Sequence, residues 1–250
     1  KPSLSCKKIP IKNNFMGRED MSDITLADLR KLTEWDTPTI CNGLEVVTPE
    51  RRTIGFTTMP LVALDPSLPP ICGYARTATM RAVTPPQGDA KATRAAYYTY
   101  VADGALPRIV VLQDLDPEPG FGAFWGEVNT NIHKGLGCLG CVTNGSFRDV
   151  DASAPGFQIL GGKVGPSHGW VHPVDFGVPV NVGGMAVNHD DIIHADRHGA
   201  VVVPAEAVKK LPEAIALLER KEKVILDAAK SPDFDIDKLK AAMAGSAEIH

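Results

Sequence analysis

The sequence predicts an α/β domain, and three observations carry that expectation. A chain of 250 residues with 44% hydrophobic and 22% charged residues can bury a full core. Short apolar runs bounded by Gly, Pro and Asp alternate with stretches of helical period. The passage from RIVVLQD to CLGCVT has the form strand, loop, helix, strand, which is a parallel crossover.

The elements follow in order. In SDITLADLRKL, Thr25 and Asp28 can form the N-terminal end of a first helix, and Thr37 to Val47 reads as a second. A Pro-rich stretch leads into the β-like run ICGYARTATMRAV. Ala95, Tyr98 and Val101 then recur at helical spacing, and Gly104 stands where a helix stops. RIVVLQD is a buried strand emptying into a loop, residues 127–134 are a short helix closed by Gly135, and CLGCVT is the next strand. FQILGG, VPVNVGGMAV, DIIHA and AVVVP are short strands between Gly or Asp turns. Helices close the chain, one opened by Pro212 and running to Ala229, and one at DIDKLKAAM.

Charge and composition narrow the function. A net charge of −4 argues against nucleic acid or an anionic membrane as partner, and no apolar run reaches the roughly 18 to 20 residues that cross a bilayer. Five cysteines, an odd number, do not form a disulfide framework, so a reducing, cytoplasmic setting is expected. The basic opening KPSLSCKKIPIKNNFMGRED has no continuous apolar core and is not a signal peptide. Residues 1–20 are expected to be a poorly ordered leader, with the native start at Met16 or Met21 and residues 21–250 forming one domain with a C-terminal helical extension.

Five clusters invite chemistry. The glycines at 120, 122 and 126 follow a strand, but their spacing is one residue too long for a dinucleotide fingerprint, and Asn144 stands where an acidic residue belongs. They suit instead a loop of exposed amides at a helix N-terminus, able to hold a small carboxylate. Cys138 and Cys141 form a C-x-x-C without a helix start or second pair, and three residues apart in a strand they are expected on opposite faces, buried and inert. NHDDIIHADRHG reads as turn chemistry rather than a metal cluster, whereas His168 and His172 share parity and are candidates to face one pocket. Glu127, Arg148 and Asp149 fall at the carboxyl ends of adjacent strands, where open α/β sheets place ligands. An Arg fork grips a carboxylate, and Asp is a hard ligand for Mg²⁺.

Twenty residues separate Glu127 from Arg148, and the setting G-E-x7-G-x-G-x-x-G-x-V-x-N-G-x-x-R-D resembles the RraA-like family. VGGMAVNHDDIIHADRHGAVVVP is similar to that family's later segment, although Asn188-His189-Asp190-Asp191 replaces the usual Pro-Gly-Asp turn. The resemblance implies a layered α-β-β-α sandwich of the swivelling-domain type with N- and C-terminal helices. It also implies class II 4-hydroxy-4-methyl-2-oxoglutarate aldolase and oxaloacetate decarboxylase chemistry, a divalent-metal-dependent lyase yielding pyruvate. The alternatives are a non-catalytic regulator that binds ribonuclease E and a hydrolase using the same metal pocket. By position, Asp149 would bind Mg²⁺ or Mn²⁺, while Glu127, Arg148 and Asp149 would be catalytic. Phe124, Trp125, Gly126, Glu127 and Arg148 would form the substrate-binding set, with the amides around Trp125 and Gly126 receiving the pyruvyl carboxylate of a small 2-keto acid. Glu127 stands where the aldolases have Asp. The resemblance further implies a homotrimer or hexamer with sites between subunits, to which Glu222 of a neighbouring copy would contribute, and His168 is kept as a further site candidate.

Overall fold

The computed structural model describes residues 23–250, so the expectations for the leader and the native start lie outside the described residues. The helices are α1 (Leu26–Leu32), α2 (Thr37–Val47), α3 (Ala90–Ala102), α4 (Glu127–Gly135), α5 (Leu211–Ala229) and α6 (Ile236–Ala247). The strands are β1 (Val62–Ala63), β2 (Ile71–Arg81), β3 (Arg108–Asp114), β4 (Ala123–Trp125), β5 (Cys138–Thr143), β6 (Ser146–Phe147) and β7 (Gln158–Gly161). They continue as β8 (Lys163–Val164), β9 (His172–Phe176), β10 (Val180–Val182), β11 (Met185–Val187), β12 (Ile192–Asp196) and β13 (Gly199–Val203).

Local chemistry explains the boundaries. Thr25 and Asp28 close a capping box on α1, and Asp36 caps α2 ahead of Pro38. Asp89 accepts from the amides of Lys91 and Ala92 at the start of α3, and Asp235 caps α6. Gly135 is the last residue of α4, and the left-handed position falls two residues further on, at Gly137 with φ 84°.

The main sheet runs β1-β7-β5-β3-β2-β12-β13, with β9 sharing an edge of β2 beyond β12. The strands β2, β3, β5 and β7 are parallel, as the crossover requires, and β12 and β13 form an antiparallel hairpin. A three-stranded parallel sheet, β4-β6-β8, and the hairpin β10-β11 complete the β structure. Alternation along β2 sorts the core. Cys72 and Tyr74 meet α1, α2 and α5, Ala78 and Met80 meet the α3 and α4 side, and Ile71 and Ala75 face β10-β11 on the opposite surface.

The chain is thus a mixed α/β fold with helices on one face of the sheet and a second β layer on the other. On the outer face of that hairpin, Asn181 and Ala186 are exposed, so among the described residues no helix covers it. The three layers α-β-β are present, and the fourth, helical layer of the expected sandwich is not confirmed among the described residues. Another difference concerns the cysteines. A bulge in β5 opposite Arg108 and Ile109 adds one residue, which places Cys138 and Cys141 in the same apolar cluster rather than on opposite faces.

Candidate functional site

Two connections converge at one end of the parallel strands. After β3 the chain loops into β4 and turns at Gly126 into α4; after β5 it passes through β6 to Arg148 and Asp149. Pairing of β4 with β6 sets the two connections side by side, and Arg148 N donates to Trp125 O at 2.9 Å.

Asp149 has φ 52°, a left-handed conformation uncommon outside glycine. The turn holds it there, because Asp149 O accepts from Ala152 N at 3.0 Å, Ser153 N at 2.9 Å and Ser153 Oγ at 3.0 Å. The bend directs the carboxylate onto the start of α4, where Oδ2 accepts from Glu127 N at 3.2 Å. A Cβ on Gly126 would stand 2.5 Å from that Oδ2, so this approach requires glycine. Arg148 Nε lies 3.5 Å from the same oxygen, and both side chains remain over one-third exposed, at 37% and 36%.

The helix start leaves donors free. Gly126 has no side-chain cap bond, and among the described residues the amides of Gly126 and Val128 have no acceptor within the chain. Glu127 is exposed at the first position of α4. The arrangement offers amides and a guanidinium for an anion, beside a carboxylate with one oxygen turned away from the protein's own donors.

Other candidates fall elsewhere. The rings of Phe124 and Trp125 are buried in the core against Tyr97, His133 and Phe157, so these residues can reach the site only through their backbone. His168 lies in a loop and His172 begins β9, so the two do not share a strand. Each folds its Nδ1 back to a carbonyl, that of Gly169 and of Trp170 respectively. The backbone of His168 nonetheless presses on Gly122 just before β4. Glu222 is exposed on α5, which packs against α2 and α6.

A cavity of about 330 Å³, lined by Arg81, Thr84, Gln87, Thr93 and His172 among others, does not include Glu127, Arg148 or Asp149. Sequence reasoning did not single out Arg81. Its only signal was a cation at the end of a long strand, and in the structure it donates to Leu115 O at 2.9 Å and lies 3.7 Å from Asp116.

Several other titratable groups are taken up by the core and its hydrogen bonds. Burial pushes Cys138 and Cys72 up to about 12, Cys41 to about 11 and Cys141 well above its ordinary value, leaving all four protonated thiols at neutral pH. His194 is buried against Thr37 Oγ1 and Leu32 O, and burial lowers it to about 4. Burial works against the charge on Asp196, yet the amides of Thr37 and His198 outweigh it and hold the carboxyl below its ordinary range. Among the described residues no group of three His, Cys, Asp or Glu side chains could enclose a metal ion.

This is a mixed α/β protein with an aspartate and an arginine gathered at an open helix start. A family model described as RraA-like, Aldolase/RraA, matches residues 28–202, and the chain belongs to that family. It is 33% identical over 107 residues to an uncharacterized protein of Methanocaldococcus jannaschii, covering 41% of this chain, and spans about half the length of that relative. Among solved structures it is similar to an uncharacterized protein of Pseudomonas syringae pv. tomato (TM-score 0.67, 19% identity, 89% of this chain and 95% of that one). It is also similar to a protein described as a novel cellulase from gut-associated microbes (TM-score 0.65, 18% identity, 88% and 91%). A third is RraAS2 of Streptomyces coelicolor, described as an unusual member of the RNase ES inhibitor RraA family (TM-score 0.61, 24% identity, 83% and 98%). At these identities the likeness shows the fold.

Proposed function

We propose that the chain is a divalent-metal-dependent lyase that cleaves a C–C bond of a small 2-keto acid to release pyruvate, by aldol cleavage, by oxaloacetate decarboxylation or by both. The observation that carries this reading is the left-handed Asp149, whose carboxylate is turned onto the first amide of α4, that of Glu127, beside Arg148. The donor set fits Mg²⁺ or Mn²⁺, hard cations that take one or two carboxylates and keep several waters; a site for zinc would need more side-chain ligands. Asp149 would hold the ion, which supplies positive charge for the keto and carboxylate oxygens and so favours the enolate left when the bond breaks.

The chain's own residues do the rest. The free amides at Gly126 and Val128 receive the substrate carboxylate. Arg148 adds a second positive charge where the enolate oxygen develops. Glu127, exposed on the first turn of α4, would orient a water that takes the proton from the C4 hydroxyl in the aldol case and returns one to the enolate carbon. Decarboxylation reaches the same enolate by loss of CO₂.

The open notch leaves room for a cover. Phe121 and Trp170, 59% and 60% exposed, leave apolar surface on loops flanking β4. A homotrimer or hexamer would bury it and bring Glu222 of a neighbouring copy to the site. The protein should release pyruvate from oxaloacetate or 4-hydroxy-4-methyl-2-oxoglutarate with added Mg²⁺ or Mn²⁺, measured by coupled NADH oxidation, and lose this with chelator. Turnover of lactones alone would favour a hydrolase. Inactivity with every 2-keto acid, together with binding to ribonuclease E, would favour a regulator.

A further inference from the structure

The junction of β4 and α4 carries three of the groups that the proposed reaction uses, and its position depends on a helix outside the site. Four carbonyls and amides fix that junction. Trp125 O accepts from Arg148 N, Gly126 O accepts from Thr130 N at 3.0 Å and Thr130 Oγ1 at 2.9 Å, and Glu127 N donates to Asp149. The fourth is Phe124 O, which accepts from Asn129 Nδ2 at 2.5 Å.

Asn129 is itself held from α3. Tyr98 Oη donates to Asn129 Oδ1 at 2.7 Å, which orients the amide so that its nitrogen faces Phe124 O. The adjacent Tyr97 Oη lies 2.8 Å from His133 Nε2, and His133 Nδ1 lies 2.7 Å from Asn129 O. These distances are satisfied together by one proton arrangement. Tyr97 donates to Nε2, and the neutral ring donates from Nδ1. Burial lowers His133 to about 4 and raises both phenols, so each group keeps the proton this arrangement needs. Two neighbouring phenols on one helix therefore grip both the side chain and the carbonyl of one residue on another.

We propose that Asn129, oriented by Tyr98, is a positioning residue that sets where the free amides of Gly126 and Val128 and the side chain of Glu127 stand relative to Arg148 and Asp149. This rests on the lyase reading of the site and adds to it a dependence on α3. The physical case is the sensitivity of catalysis to placement, where a displacement of about 1 Å costs on the order of 100-fold. Without Asn129 Nδ2, Phe124 O is left facing the protein with no donor, and the junction loses one of the four contacts that fix it.

Asn129→Asp keeps the shape and removes the donor, and Tyr98→Phe removes only the phenol oxygen. Backbone hydrogen exchange, followed by mass spectrometry, is read for the peptides spanning residues 121–130 and 138–143, together with Tm and the kinetics of pyruvate release. In both variants we expect exchange in 121–130 to rise at least tenfold while 138–143 matches wild type, and kcat/KM to fall at least tenfold. Asn129→Asp combined with Tyr98→Phe should fall no further than Asn129→Asp alone, because both act through one contact. Unchanged exchange in 121–130, or a rise spread equally over both peptides with a lowered Tm, overturns the proposal. Faster exchange with wild-type turnover overturns it too. Should the wild type turn over no 2-keto acid, the lyase reading fails by itself, and the exchange difference still decides whether Asn129 holds the junction.

Discussion

Two aspartates share a backbone conformation that few residues adopt, and they have opposite fates. Asp149 has φ 52° and Asp190 has φ 67°. Asp190 is neutralised on the spot, since Arg76, buried to 1% exposure, donates to its Oδ1 at 2.6 Å and His189 Nε2 lies 2.8 Å from its Oδ2. Asp149 meets one backbone amide and an arginine that stays in solvent. The β12-β13 edge is richer in titratable residues than the β4-α4 edge, yet Thr37, His194, Asp196 and His198 are bonded to one another there. A site is marked by polar groups that the fold orients and then leaves available, and a count of His, Asp and Glu does not find it.

Exchanging the two carboxylates for amides is the largest test of that contrast. Asp149→Asn should cut pyruvate release on the order of 100-fold or more and leave stability within about 0.5 kcal/mol, because Asn also tolerates the left-handed conformation and the side chain is exposed. Asp190→Asn should do the reverse. Activity should hold, while stability falls by about 1 to 2 kcal/mol, less than a fully buried pair would lose because Asp190 is 37% exposed and His189 still touches Arg76. Steady-state kinetics with urea unfolding of both variants would read this. Equal losses of activity would erase the distinction between the two edges.

The sequence made some of this legible and hid the rest for physical reasons. Residues 37–47 were readable as a helix because Asp36, Pro38 and the apolar spacing agree there, 127–134 because Gly135 closes it, and 108–114 and 138–143 as strands because they are short apolar runs bounded by turn residues. The ends of those strands placed Glu127, Arg148 and Asp149 together, and the structure brings them together. Sequence did not show β4, β6 and β8, since strands of two or three residues carry no period, though they form the sheet that aligns the notch. Nor did it show which aspartate would be left free. That depends on Arg76, 114 residues from Asp190 along the chain, and on Gly126 being bare enough for Asp149 to approach.

Acid should strain both edges alike and so separate structure from chemistry. His133 lies behind the notch and His194 in the opposite half of the core, and burial lowers each to about 4 from 6.5. Below pH 6.5 the unfolded chain takes up protons on both rings that the folded chain refuses until about pH 4, so the unfolded state gains. Stability present above pH 6.5 is lost across that window, by about 2 kcal/mol per ring at pH 5. Unfolding free energies at pH 7 and pH 5 for wild type and His194→Gln should differ in slope by about that amount. Parallel pH dependences would mean that His194 titrates normally and is not sealed in the core.

The smallest effect is expected at Glu127, and its smallness is informative. Glu127→Asp draws the carboxylate back toward the helix by about 1.5 Å, one C–C bond. Nothing else need move, because the side chain is exposed and, among the described residues, makes no hydrogen bond within the chain, while an acidic residue on the first turn of a helix remains favourable. The change therefore reports on chemistry alone. If Glu127 only sets which substrate fits, oxaloacetate decarboxylation should stay within about threefold of wild type, since a water bridge can take up the lost length. On the proposed lyase reading, aldol cleavage should hold or rise, because the shorter acid is the one that the family resemblance implies for aldolases at this position. Initial rates with the two substrates, compared as a ratio, measure this. A collapse of both rates to the level of Asp149→Asn would show that the longer arm is essential to the bond-breaking step, and the two acidic groups of the notch would then have to be treated as one unit.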